Sequence, residues 1–323
     1  MSAVRSVLMV ATSAHRRVGG VERHVEAVRR ELEARGVATA VTALGPTRAL
    51  PLAIPRLART IARLSPDVVH THDYVPTLAA ALALRAVRRA APLYATVHGY
   101  EGWPLRPHHV LGHRLAARAA RRSIAVGAYV DAFYGTRSAL VTHGGVEAVG
   151  AVAEPPAPAV SFVARYAADT DAPDVVRALR ILAETRGVAA RTYGFGPLEQ
   201  TLRELAGGAV RVGGVTDDPR GVAAASTVVV ATSYLAVLEA FSVGRPVVAV
   251  ARNALKRAYL EEIAAASGAL RVATGADALA AHVAALLDDD AARRAAADAA
   301  LAYAARFTWA RVASDYLGLW AVR

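Results

Sequence analysis

Val149–Val160, with the sequence VGAVAEPPAPAV, divides the chain into two halves of like organisation. Pro155, Pro156 and Pro158 within it can continue neither a helix nor a central strand, because each lacks a backbone N–H and clashes with a preceding helical turn. On both sides, short β-rich runs alternate with helical stretches. Ser6–Ala11, Val37–Val41, Asp67–Thr71, Leu93–His98, Ser123–Val126 and Ala139–Thr142 read as strands before the prolines. Between the first two, Val21, Val25, Val28 and Leu32 share one face of a helix that stops at Gly36. After the prolines, Val160–Ala164, Val188–Tyr193, Val210–Val212, Thr227–Ala231 and Pro246–Val250 are strand candidates, and helices dominate beyond Asp277. Strand–helix alternation implies a doubly wound parallel sheet. The expectation is therefore an α/β chain with two Rossmann-like domains, 1–150 and 160–304, joined by a Pro-rich hinge at 151–159. An interdomain cleft at the carboxyl ends of both sheets is where chemistry is expected.

The length of 323 residues agrees with two domains. Apolar residues make up 54 %, but 77 are alanine against 5 Phe and 3 Trp, so the cores must fill with small side chains and close helix packing. The absence of cysteine excludes disulfides, thiolate metal sites and a cysteine nucleophile. Continuous apolar patterning argues against intrinsic disorder. Ser6–Ala11 lacks the charged leader and cleavage site of a secretory signal. Gly221–Phe241 is interrupted by Ser226, Thr227, Thr232, Ser233 and Glu239, and reads as strand plus helix rather than a membrane span. A cytoplasmic protein is expected.

The net charge of +11 resides wholly in the first half, where 20 arginines face 9 acids; the second half carries 18 bases and 18 acids. Such asymmetry suggests an anionic partner, whereas an Ala/Arg-rich composition alone is the plainer explanation. Arg56, Arg59 and Arg63 form one stripe at helical spacing, and Arg114, Arg118, Arg121 and Arg122 form another. Basic amphipathic helices can lie on an anionic bilayer, although a solvated helix face gives the same pattern. No nucleic-acid motif accompanies these residues, so nucleic acid is not expected as a partner.

Three groups of residues carry chemistry. Gly19-Gly20 opens the first helix, where a ligand's polar group can approach backbone N–H groups and the positive helix end; a tight strand–helix turn needs the same residues. The order is not GxGxxG, so no dinucleotide fingerprint is present. His98 ends a strand expected to be central, facing the cleft or buried structurally, and His70 and His72 end another. His108, His109 and His113 lack carboxylates in a fixed pattern, so no metal site is expected. In the second half, Gly194 and Gly196 turn a strand into a helix with Pro197 near its start. A helix beginning near Tyr234 leaves N–H groups at Ser233, Tyr234 and Leu235 for a diphosphate, and places Glu239 where a carboxylate can accept from ribose hydroxyls. Glu239 also serves simply as a charge complementing the helix dipole.

Taken together, GGVERHVEAVRRELEARG, PDVVHTHD, ATVHGYE and VTHGGVE before the hinge resemble the GT-B retaining glycosyltransferases, group 1, family 4, which use nucleotide-diphosphate sugars. SFVARY, YGFGPLEQTL, VRVGGVTDD, VLEAFSVGRPVVAV and FTWARVASDYLGLW continue the resemblance in the family's order. It implies metal-independent transfer of a sugar to an acceptor hydroxyl, with the nucleotide sugar as substrate and no further cofactor. It also implies an anionic or lipid-linked acceptor and peripheral contact with the inner membrane face. The last segment, within 305–323, resembles the family's final helix, which crosses back onto the first domain. By position, Gly20 is expected near the diphosphate and sugar, His98 at the donor sugar, Arg165 at the diphosphate and Glu239 at the ribose.

The chain departs from the family at several points. Ala231 stands where the first glutamate of the E-x7-E motif is expected, and Ser233–Val237 is short for the sugar-binding loop. The family's diphosphate lysine should follow Arg165 by about five residues, yet YAADTDAPD at Tyr166–Asp174 has three acids and no base. Losing one such cationic contact costs roughly 2–4 kcal/mol, a rate factor of roughly 10²–10³. Arg252, Lys256 or Arg257 could restore the charge from another direction. A catalytically degenerate homologue serving as a binding or auxiliary protein is the alternative; a sugar-nucleotide epimerase of the same architecture would need acid/base carboxylates of its own.

Overall fold

The computed structural model describes residues 4–13, 19–46, 49–99 and 102–321. Tyr100 and Glu101, which close the ATVHGYE segment, lie outside the described residues. The chain divides into one unit of residues 1–145 with 309–323, and a second of residues 146–308.

The first unit runs β1 (Ser6–Ala11), α1 (Gly20–Ala34), β2 (Ala38–Ala43), α2 (Leu50–Leu64), β3 (Val68–His72), α3 (Tyr74–Ala86), β4 (Leu93–Val97), α4 (Pro107–Ala119), β5 (Arg122–Ala125), α5 (Ala128–Tyr134) and β6 (Leu140–Val141). Its six strands pair in parallel in the order β2-β1-β3-β4-β5-β6. The strand order reverses between β1 and β3, which is where an open parallel sheet offers a crevice at its carboxyl ends. Alternate residues of β1 serve the two faces: Leu8 and Val10 pack with Leu57 and Ile61 of α2 and with Ala80 of α3, while Val7 and Met9 face Val25, Val28 and Leu32 of α1. The second arginine array is shorter than its spacing suggests: α4 ends at Ala119, and Arg122 opens β5.

The second unit runs β7 (Ala159–Val163), α6 (Ala172–Arg186), β8 (Ala189–Tyr193), α7 (Glu199–Ala206), β9 (Val210–Gly213), α8 (Pro219–Ala224), β10 (Val228–Val230), α9 (Tyr234–Ser242), β11 (Val247–Val250), α10 (Ala254–Ser267), β12 (Leu270–Ala273), α11 (Ala276–Asp288) and α12 (Asp290–Ala304). Here too all pairings are parallel, in the order β12-β11-β10-β7-β8-β9, with the reversal between β7 and β10. Strand β12 was not legible in the sequence: Leu270-Arg271-Val272-Ala273 is a short run between helical stretches. The Pro-rich segment is fastened within this unit, since the buried Arg245 guanidinium donates to the carbonyls of Val152 and Ala153, and Arg293 pairs with Glu154.

The last helix, α13 (Trp309–Ala321), returns to the first unit. Val312, Ala313, Tyr316, Leu319 and Trp320 form one apolar stripe at helical spacing and join the core built on α1 and β1. This agrees with the expected crossing back. No described helix is long and apolar enough to cross a membrane.

Candidate functional site

In the first unit, the candidate residues gather where β3 and β4 end and α1 begins. Gly19 is the extended residue before α1, and a Cβ there would lie 2.1 Å from Glu22 Oε2, so its bareness lets the Glu22 carboxylate fold back on the helix start. Gly20 is the first residue of the helix. His98 follows β4, half-buried, with its main chain held from three sides. Asp73 Oδ1 accepts from His98 N at 2.7 Å and from Gly99 N at 3.4 Å, while Tyr129 and Tyr134 hydroxyls donate to the His98 and Gly99 carbonyls. Asp73 itself has φ 72°, a left-handed conformation rare outside glycine.

Around His98 stands a set of aromatic rings larger than the sequence suggested. His72 Nδ1 is 3.2 Å from His98 Nε2, and the His24 ring from α1 meets the His98 ring edge-on at 5.1 Å. His70 does not reach His98 directly. Its Nδ1 accepts from the Trp320 indole at 3.1 Å, and a tryptophan N–H only donates, so His70 carries its proton on Nε2 and donates it to Thr96 Oγ1 at 2.8 Å. The chain of bonds continues from Thr96 through Tyr316 Oη at 2.5 Å to His24 Nε2 at 2.9 Å. Burial holds His24 and His72 well below the ordinary imidazole value, lowers His70 to about 3, and lowers His98 against the upward pull of Asp73 and Glu22. All four imidazoles are therefore neutral at pH 7. His109 and His113 stand apart, His109 against Tyr74 and His113 against Tyr74 and Tyr134. Among the described residues, no three His, Cys, Asp or Glu side chains converge to hold a metal ion.

In the second unit, the loop after β7 lies at the strand-order reversal. Arg165, half-exposed, pairs with Asp169 at 2.5 Å. The ammonium of Lys256, from the first turn of α10, enters the same loop, 2.9 Å from Asp171 Oδ2 and 3.0 Å from the Asp169 carbonyl. Burial lowers the Lys256 ammonium, opposed by Asp171. Asp174, the third acid of this stretch, is paired with Arg177 and Arg252. The three acids of this stretch are thus each paired with a cation.

Thr232 Oγ1 donates to the Thr170 carbonyl at 3.3 Å, tying this loop to the turn before α9. Ser233 is the extended cap of α9, with Tyr234 and Leu235 in its first turn. Gly194 and Gly196 pass so close to the same loop that a Cβ would stand 1.9 Å from the Ala164 carbonyl oxygen and 2.4 Å from that of Tyr166. Their glycine character follows from this close approach of two chain segments. Glu239, half-buried, lines a small cavity with Ser161, Val163, Pro219, Ala223 and Val230. Arg165, Lys256, the glycines and Ser233–Leu235 are therefore brought together, with Glu239 on the adjoining wall of the same reversal.

His24, Asp73, Asp171 and Tyr316 were missed in the sequence. His24 stands inside the quoted GGVERH segment and Asp73 ends PDVVHTHD, so both were within reach; nothing local marks Tyr316.

A family model described as Glycosyltransferase Family 4 matches residues 18–135, and one described as Glycosyl transferases group 1 matches residues 157–289. No curated protein matches the chain. Among solved structures, sucrose-phosphate synthase from Thermosynechococcus elongatus is similar, with a TM-score of 0.79 at 17 % identity over 98 % of each chain. The Anabaena protein HepE, crystallised with UDP and glucose, gives 0.76 at 17 % identity over 99 % of this chain and 100 % of its own. A glycosyltransferase from Rickettsia africae gives 0.72 at 16 % identity over 98 % of each chain. At such identities these likenesses establish the GT-B fold and nothing finer. With one model over most of its first unit and the other over most of its second, the chain belongs to the group 1, family 4 glycosyltransferases.

Proposed function

We propose that this glycosyltransferase takes a sugar from a nucleotide-diphosphate donor and passes it, with retention and without a metal ion, to an acceptor hydroxyl. The observation that carries the reading is the delivery of Lys256 Nζ into the loop that follows Arg165, beside the start of α9. Two side-chain cations and a helix N-terminus then meet at the strand-order reversal of the second unit, an arrangement suited to a diphosphate. Lys256 supplies from α10 the charge that the Tyr166–Asp174 stretch lacks.

In this reading Arg165, Lys256 and the amides of Ser233–Leu235 stabilise the charge that develops on the leaving diphosphate. The bond from the anomeric carbon to the phosphate oxygen breaks, the bond to the acceptor oxygen forms on the same face, and the acceptor's proton passes to the leaving phosphate. Glu239 accepts from the ribose hydroxyls, Gly20 allows close approach of the sugar end of the donor, and His98 contacts the transferred sugar. UDP is the first nucleotide to test, because HepE binds it.

One observation favours the non-catalytic reading: Arg165 and Lys256 are already engaged by Asp169 and Asp171, so a diphosphate must share or displace those carboxylates. Calorimetry with UDP-, GDP- and dTDP-sugars decides. Binding of one donor followed by a glycosylated product supports the enzyme, whereas no binding of any supports the auxiliary protein. Arg165→Ala and Glu239→Ala should each weaken nucleotide affinity by about tenfold or more; wild-type affinity in both removes the site assignment.

The acceptor is proposed to be anionic or lipid-linked, met at the cytoplasmic membrane face. Helices α2, α3 and α4 contain no acid, and expose Arg56, Arg59, Arg63, Arg85 and Arg118 together with Leu52, Leu111 and Leu115. An arginine-rich face studded with leucines suits an anionic bilayer surface.

A further inference from the structure

We propose that His72 fixes the proton of His98 on Nδ1, so that His98 offers its ligand a hydrogen-bond donor. The argument rests on one short contact and one solitary atom. His72 Nδ1 and His98 Nε2 are 3.2 Å apart, so one of them must donate to the other. His72 is wholly buried, and its Nε2 has no hydrogen-bond partner among the described residues.

Two proton arrangements satisfy the contact. In the first, His98 Nε2–H donates to His72 Nδ1; the His72 proton must then sit on Nε2, as a buried N–H with nothing to receive it. In the second, His72 Nδ1–H donates to His98 Nε2; His72 Nε2 is then a bare lone pair, and His98 carries its proton on Nδ1. A buried N–H without an acceptor is rarer than a buried acceptor without a donor. The second arrangement therefore holds. Protonating either ring at both nitrogens is opposed by burial.

The rest of the environment agrees. Asp73 anchors the His98 and Gly99 amides, Tyr129 anchors the His98 carbonyl, and the His24 ring meets the His98 ring edge-on, so the main chain that carries His98 is held in place. The negative charges of Asp73 and Glu22 both act on His98 and favour its protonation, against its burial. Nδ1 of His98 has no partner among the described residues, and is the atom left to meet a ligand. On the reading that His98 contacts the transferred sugar, Nδ1–H would donate to a sugar oxygen, and His72 would be a positioning residue that never touches substrate.

The test is the tautomeric state itself, read from long-range proton–nitrogen correlation spectra of the full chain labelled with ¹⁵N-histidine, with His98 assigned by loss of its signals in His98→Gln. The wild type should show neutral His98 with its proton on Nδ1. His72→Asn, whose amide N–H can donate from the place of Nδ1, should keep that state. His72→Met, whose thioether sulfur can accept but not donate, should turn His98 to the Nε2–H form, and should lower kcat for sugar transfer about tenfold while leaving nucleotide affinity unchanged. A wild-type His98 protonated on Nε2, or a His72→Met protein with His98 still protonated on Nδ1, overturns the proposal. Should His72→Met not fold, the wild-type spectrum alone decides. The expected spectra with no transfer from any nucleotide sugar would uphold the proton assignment and overturn the functional reading instead.

Discussion

Lys256 Nζ, from the only lysine in the chain, lies 2.9 Å from Asp171 Oδ2, and both side chains are buried. Residues 85 apart in sequence thus form the charged floor of the candidate donor site, and Asp171 sits at the foot of the loop that begins with Arg165. The pair can serve stability, ligand binding or both, and substitutions separate these roles.

Lys256→Met should destabilise the second unit by about 3–5 kcal/mol, because it strands a buried carboxylate. Adding Asp171→Asn removes that stranded charge, so the double variant should recover most of the stability in urea denaturation. It should not recover nucleotide affinity, which calorimetry should find at least about tenfold below wild type. Recovery of both quantities would mean that the lysine is structural.

Sequence made the fold legible because hydrophobic alternation is local: eleven of the strands follow from runs of three to six β-rich residues, and only Leu270–Ala273 escaped. The site was legible in part. Arg165, Ser233 and His98 follow strands directly, so their positions at the carboxyl ends could be inferred from the alternation alone. Lys256 reaches the loop through a long flexible side chain from a neighbouring helix, and sequence could offer it only beside Arg252 and Arg257. The outcome separates these candidates, since Arg252 turns to Asp174 and Lys256 to Asp171. Tyr316 and Trp320 reach the histidines only because the last helix returns to the first unit, a contact across more than two hundred residues.

Asp73 holds the His98 and Gly99 amides at the expense of a strained backbone, and the two effects are separable. Asp73→Asn keeps an accepting oxygen and the same backbone strain as aspartate, so transfer activity should stay near wild type. Asp73→Gly relieves the strain and removes the acceptor, and Asp73→Ala removes the acceptor and keeps the strain. Both should lower kcat by about tenfold or more through loss of the held loop, with glycine the more stable of the two proteins in thermal unfolding. Equal activity in Asn and Gly variants would show that the carboxylate does not position His98.

The basic face of α2, α3 and α4 gives a prediction that does not depend on catalysis. Liposomes containing anionic lipid should co-sediment the protein at low salt, and release it at about 0.5 M salt, where surface attractions are screened within a few ångströms. Reversing Arg56, Arg59 and Arg63 to Glu should abolish binding without altering nucleotide affinity, since these residues lie on the exposed side of α2. Failure to bind anionic vesicles even at low salt would leave the arginine excess without a membrane role.

The four neutral histidines of the first unit make its stability fall in acid. In the folded chain each is held below the ordinary value of 6.5, so below that pH the unfolded chain binds more protons than the native one. Stability is therefore complete above about pH 6.5 and declines as pH drops through and below it, by up to about 1.4 kcal/mol per pH unit for each fully buried histidine. For His70 the decline extends down to about pH 3. The structural consequence is specific, because protonating His70 Nδ1 removes the acceptor of the Trp320 indole and with it one fastening of α13. Amide exchange in α13 should accelerate on going from pH 7 to pH 5, after correction for intrinsic rates, ahead of exchange in β1. His70→Gln should flatten the pH dependence of unfolding by about one proton. An unchanged slope in that variant, or exchange in β1 rising together with α13, would show that His70 does not fasten the helix.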